Sequence, residues 1–137
     1  MAIKVKDIMT STVTCGKSDY SPRQLESIMD KHKLRCLPII DNKGRCTGVV
    51  NTTDLLHWHL VQKRASHTHA AQVLTQPVIA VSPGISLVEA VELMVSKQKY
   101  HLIVLEKGDL VGIVSVMDIL ERFLSDGRSV FAKHLLL

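Results

Sequence analysis

An internal repeat constrains a fold before any residue propensity does, because whatever one copy forms the other must form too. Sliding the 137-residue chain by 65 positions overlays Asp7–Asp41 on Gln72–Glu106, and skipping Asn42 brings Lys43–Leu56 onto Lys107–Leu120. Identities recur along the whole overlay: Thr10/Thr75, Val13/Val78, Ser21/Ser86, Met29/Met94, Leu37/Leu102, Lys43/Lys107, Gly44/Gly108, Gly48/Gly112, Val50/Val114, Asp54/Asp118 and Leu56/Leu120. Each copy, at about 50 residues, is too small to bury its own apolar faces well, so the two are expected to pack as a pseudo-two-fold module. The single gap falls in a turn, where length changes are tolerated.

Periodicity orders the elements within a copy. A short strand is expected at Val13–Cys15 and at Val78–Val81. Ser21-Pro22-Arg23-Gln24 and Ser86-Leu87-Val88-Glu89 then place a Ser three residues before Gln or Glu, the capping-box signature, with Pro22 at the first helical position. Leu25, Ile28 and Met29, and Ala90, Leu93 and Met94, form one-sided i, i+3, i+4 stripes, so the methionines read as core. Strands follow at Cys36–Ile40 and His101–Leu105, each with a Lys-Gly turn and a second strand at Gly48–Val50 or Gly112–Val114. A last helix begins at Asn51 or Ser115 and stops at Gly127 in the second copy. The expectation is an α/β (α+β) chain of two tandem β-α-β-β-α repeats, over 1–64 and 71–127, with a linker at 65–70 and a tail at 128–137.

Composition excludes several classes. With 46% apolar residues the chain is not disordered, and no apolar run reaches the ~18 residues of a membrane span. The start lacks an apolar signal core, so the chain reads as cytoplasmic. Cys15, Cys36 and Cys46 are unevenly spaced without C-x-x-C, which points to reduced thiols rather than disulfides or zinc. A net charge of +4 with few aromatics suits an anionic small molecule better than nucleic acid. His57 and His59 point to opposite sides of a helix over 52–64, and His67 and His69 have no cysteine or carboxylate nearby, so no metal centre is expected. Trp58 reads as a packing or dimer contact.

Two motifs, Gly48-Val49-Val50-Asn51-Thr52-Thr53-Asp54 and Gly112-Ile113-Val114-Ser115-Val116-Met117-Asp118, together with Val5-Lys6-Asp7-Ile8-Met9-Thr10 and Leu37-Pro38-Ile39-Ile40-Asp41, resemble the cystathionine-β-synthase (CBS) domain family. The resemblance spans residues 5 to 124. It implies a regulatory, non-catalytic module that binds an adenosine compound, AMP or ATP foremost with ADP, NAD and S-adenosylmethionine as alternatives, and relays occupancy to a protein target. It also implies a homodimer. Because three terminal leucines would be costly to expose, the apolar tail Val130–Leu137 is expected to pack on the module or on its dimer mate.

Carried over residue by residue, the resemblance makes Asp118 and Asp54 ribose acceptors. Ser115 faces phosphate, with Asn51, Thr52 and Thr53 the counterparts in the first copy, where Asn51 departs from the usual Thr or Ser. Val13, Thr14, Val78, Ile79 and Pro38 become base-lining positions, and Arg35, with Tyr100 and His101 in the second copy, phosphate-side positions. Chemistry agrees: an ionised carboxylate only accepts, which suits a vicinal diol, and helix-start N–H groups suit an anion. The same residues also have plain structural readings: N-cap pairs for Ser115/Asp118 and Asn51/Asp54, a solvated surface for Arg35 beside Lys31 and Lys33, a core boundary for Tyr100 and His101. A module with empty sites that serves only protein interaction is the alternative. No phosphate-loop or nucleophile motif supports an enzyme.

Overall fold

Ser21 and Pro22 open the first long helix. In the computed structural model, which describes residues 3–62, 74 and 78–125, Ser21 Oγ accepts the Gln24 N–H at 3.2 Å and Gln24 Oε1 accepts the Ser21 N–H at 2.8 Å. Helix α1 then runs Pro22–His32 with Leu25 and Met29 buried. Its counterpart α3, Leu87–Lys97, starts where Ser86 Oγ accepts the Glu89 N–H at 3.1 Å. Around them lie strands β1 (Gly16–Lys17), β2 (Cys36–Ile40), β3 (Cys46–Asn51), β4 (Ala80–Val81), β5 (His101–Glu106) and β6 (Asp109–Ser115), and helices α2 (Thr52–His57) and α4 (Val116–Ser125). The order is β-α-β-β-α twice, with two three-stranded sheets, β1-β2-β3 and β4-β5-β6.

The chain divides into two compact units, one of Met1–Val13, Ala80–Glu106 and Val111–Leu137, the other of Thr14–Ile79 and Lys107–Leu110. The second holds a core of Leu25, Met29, Leu37, Ile39, Val50, Leu55 and Trp58. The first buries Val5, Leu87, Ala90, Met94, Leu102, Val104, Val114 and Ile119. The N-terminal segment belongs to that unit through backbone bonds: Val5 N–H to Ile85 O at 3.0 Å, Leu87 N–H to Ile3 O at 2.8 Å, and a two-way pairing of Thr10 with Ile113.

The glycines of the repeated motif are placed by this exchange. A Cβ on Gly112 would stand 2.5 Å from Met9 Sδ, and one on Gly48 would stand 3.1 Å from Leu74 Cδ2. Met9 and Leu74 occupy equivalent positions in the two copies, so each lead-in residue rests on the motif glycine of the other copy.

The first strands begin later than the expected Val13–Cys15 and Val78–Val81, at Gly16 and Ala80. Proline explains the difference between copies. β4 pairs with β5 from Ala80↔Ile103, and the equivalent pair in the first copy would be Cys15↔Pro38. Pro38 has no N–H to offer, and β1 meets β2 one residue further on, at Gly16↔Ile39.

The last helices also differ from expectation. Asn51 and Ser115 finish their strands, and Asn51 is extended at φ −100°, ψ 162°, so helix geometry starts at Thr52 and Val116. In place of one helix over 52–64, α2 ends at His57 and a wider π-helical turn covers Trp58–Gln62. Trp58 is 4% exposed and fills the core, the packing role expected of it. The linker at 65–70, the stop at Gly127 and the tail over 130–137 lie outside the described residues.

Candidate functional site

Two small constructions repeat at the strand-to-helix junctions. In the second copy Asp118 Oδ2 accepts the Ser115 N–H at 2.8 Å and Ser115 Oγ accepts the Asp118 N–H at 3.0 Å, a reciprocal cap. In the first, Asp54 Oδ2 accepts the Asn51 N–H at 2.7 Å. Both carboxylates are half-buried. Because a carboxylate offers about four acceptor positions, a cap bond leaves acceptor capacity for a ligand hydroxyl.

A second bond ties each junction to the start of the neighbouring strand. The Thr52 N–H reaches Arg35 O at 3.1 Å, and the Val116 N–H reaches Tyr100 O at 2.9 Å. Thr52 Oγ1 also donates to Arg35 O at 3.2 Å. The expected phosphate-side residues are thus joined through their carbonyls to the helix starts. Arg35, Thr52 and Thr53 are exposed along a groove of about 690 Å³ floored by Met29 and Leu55 and flanked by Lys33. Across that groove His59 Nε2 meets Glu26 Oε2 at 2.5 Å.

The remaining expected residues are spread more widely. Val13 and Thr14 are half-buried just before β1, and Val78 and Ile79 just before β4. Pro38 is fully buried within β2. Tyr100 is 74% exposed, whereas His101 starts β5 half-buried. Asn51, Thr52, Thr53, Asp54, Arg35, Pro38, Thr14, Val78 and Ile79 fall in one compact unit; Ser115, Asp118, Tyr100, His101 and Val13 fall in the other.

Electrostatics sets off Cys36, next to Arg35. Burial first, then the charges of Cys46 and Asp54, push its thiol up to about 12, so it stays protonated at neutral pH. Burial raises Cys15 and Cys46 as well. All three cysteines are free thiols. Among the described residues no group of three or more His, Cys, Asp or Glu is placed to hold a metal ion, and no helix is long and apolar enough to cross a membrane.

Sequence reasoning passed over Val116 and Met117, whose apolar side chains stand 39% and 57% exposed beside the Ser115–Asp118 cap. The signal was present, since they align with Thr52 and Thr53. It also passed over Glu26, Lys33 and His59, which face the groove from positions separated along the chain.

Known proteins share this fold. The chain is 27% identical over 115 residues to the CBS domain-containing protein YhcV of Bacillus subtilis, covering 84% of this chain and 81% of that one. Its fold matches the CBS domain pair of protein MJ0100, solved with 5′-methylthioadenosine and S-adenosyl-L-methionine, at TM-score 0.84 and 23% identity over 92% of this chain and 99% of the other. It matches CBSX2, solved with AMP, at TM-score 0.81 and 22% identity over 92% and 99%. The CBS domain family matches twice, over residues 5–60 and 70–125, the same two stretches that carry the repeated caps and strands, and the chain therefore belongs to the CBS domain family as a tandem pair.

Proposed function

We propose that this chain is a regulatory module that binds an adenine nucleotide or adenosyl compound at the Asn51–Asp54 and Ser115–Asp118 junctions and passes occupancy on to a protein target, without catalysis. The observation that carries this reading is the duplicated carboxylate cap, each tied by the same N–H···O bond to the start of its neighbouring strand. Each Asp accepts from a ribose hydroxyl, and the exposed Arg35 and Thr53 supply donors for phosphate oxygens. The ligands bound by the MJ0100 pair and by CBSX2 share the adenosine group this chemistry addresses.

Calorimetric titration with AMP, ATP, NAD and S-adenosylmethionine tests the reading. It predicts saturable binding of at least one of the four. Silence from all four, after removal of any co-purified ligand, would contradict it. An interaction module without ligand is the second reading, favoured by the reciprocal Ser115–Asp118 cap, which already gives both side chains a structural role. We also read the chain as a homodimer, since α2, α3 and α4 expose Leu56, Val88, Val95, Met117 and Leu124. Sedimentation equilibrium at the monomer mass would reject that.

A further inference from the structure

The two junctions share one backbone scaffold but carry opposite side-chain chemistry. In the first copy the carbonyl that receives the helix's N–H belongs to Arg35, and the next positions are Thr52 and Thr53, both exposed. In the second copy the same three positions are Tyr100, Val116 and Met117, exposed by 74%, 39% and 57%.

The charges around the first junction leave a cation over. Glu26 lies against His59 at 2.5 Å and Asp30 lies 4.0 Å from Lys33, whereas Arg35 has no acidic partner among the described residues. The Arg35 guanidinium and the exposed Thr53 hydroxyl line one groove and are donors for anionic oxygens, the Thr52 hydroxyl having its proton on Arg35 O. In the second copy a phenol ring, a valine and a methionine thioether are exposed at the positions next to the carboxylate cap and to the strand start bonded to it, a surface that gains by covering an apolar group.

We propose that the two sites divide their ligands by charge. The Asn51–Asp54 site takes an adenosine carrying a 5′-phosphate, and the Ser115–Asp118 site takes one whose 5′ substituent is uncharged and apolar, such as a thioether. Arg35 and Thr53 select for the phosphate; Tyr100, Val116 and Met117 favour the apolar substituent. This assignment rests on the adenosine reading above.

The test titrates AMP and 5′-methylthioadenosine into the wild-type chain and into the Asp54→Ala, Asp118→Ala and Arg35→Ala variants, each verified as folded by its thermal melt. Asp54→Ala is expected to weaken AMP by roughly tenfold or more and leave the thioether within about twofold, and Asp118→Ala to do the reverse. Arg35→Ala keeps the carbonyl that anchors Thr52 and loses AMP affinity alone, which keeps the test decisive if an aspartate variant fails to fold. The double exchange Tyr100→Arg/Val116→Thr is expected to raise the AMP stoichiometry. AMP binding that follows Asp118, or both ligands lost in one variant, overturns the division by charge while leaving the adenosine reading in place. Failure of both ligands to bind the wild-type chain overturns this assignment, and the four-ligand titration above decides whether the adenosine reading falls with it.

Discussion

Single residues carry consequences that their neighbours in sequence do not announce. Lys33 and Gln98 close α1 and α3 in the left-handed region, at φ 55° and 54°, a conformation that favours glycine. Gln98→Gly is expected to raise stability by about 0.5–1 kcal/mol, read from the urea midpoint; a lowered midpoint would contradict the strain assigned to that position. These helix ends were illegible in the sequence because neither terminator is a glycine, whereas the starts at Ser21 and Ser86 were legible because a hydroxyl cap is a side-chain property. Cys36 makes a pH prediction. Its folded-state thiol is raised from 9.0 to about 12, so its contribution to stability is complete below pH 9 and is lost as pH rises toward 12. Cys36→Ala should therefore flatten the alkaline fall in stability relative to wild type, and iodoacetamide at pH 8 should label Cys36 slowest of the three cysteines. Equal labelling rates would show that burial does not govern this thiol.

At the scale of elements, the motif glycines separate structural from ligand roles. Gly112 has Met9 Sδ and Cγ and the Thr10 carbonyl within 3.2 Å of where its Cβ would stand, while the nearest atoms to a Cβ on Gly48 are those of the Leu74 side chain at 3.1–3.3 Å. Gly112→Ala is expected to cost about 1–3 kcal/mol by overpacking, and Gly48→Ala less. Equal, negligible losses in both variants would contradict the close approach. The repeat made the strand and helix order legible, since two copies had to agree. The late start of β1 was not, because it depends on which residue Pro38 faces across the sheet, and register is a tertiary fact. The π-helical turn at Trp58–Gln62 escaped for the same reason: it is recognised by backbone geometry, and its residues read equally well as α-helix.

Across the whole molecule, the duplicated sequence appears as two compact units that trade their lead-in segments, with residues up to Val13 joined to the unit of the second repeat. The family and the cap residues Asn51, Asp54, Ser115 and Asp118 were legible because the motif keeps cap and carboxylate three residues apart. The contrast between Arg35, Thr52 and Thr53 and their counterparts Tyr100, Val116 and Met117 became meaningful only once both sets were seen to stand on the same backbone bonds and in solvent. The central claim is that the two aspartates hold an adenosine group. Its most direct test is the affinity of adenosine for the wild-type chain and for the Asp54→Ala/Asp118→Ala double variant, each verified as folded. The account predicts saturable binding to the wild type and a loss of about 1.5–3 kcal/mol or more in the double variant. Unchanged affinity in a folded double variant would contradict it.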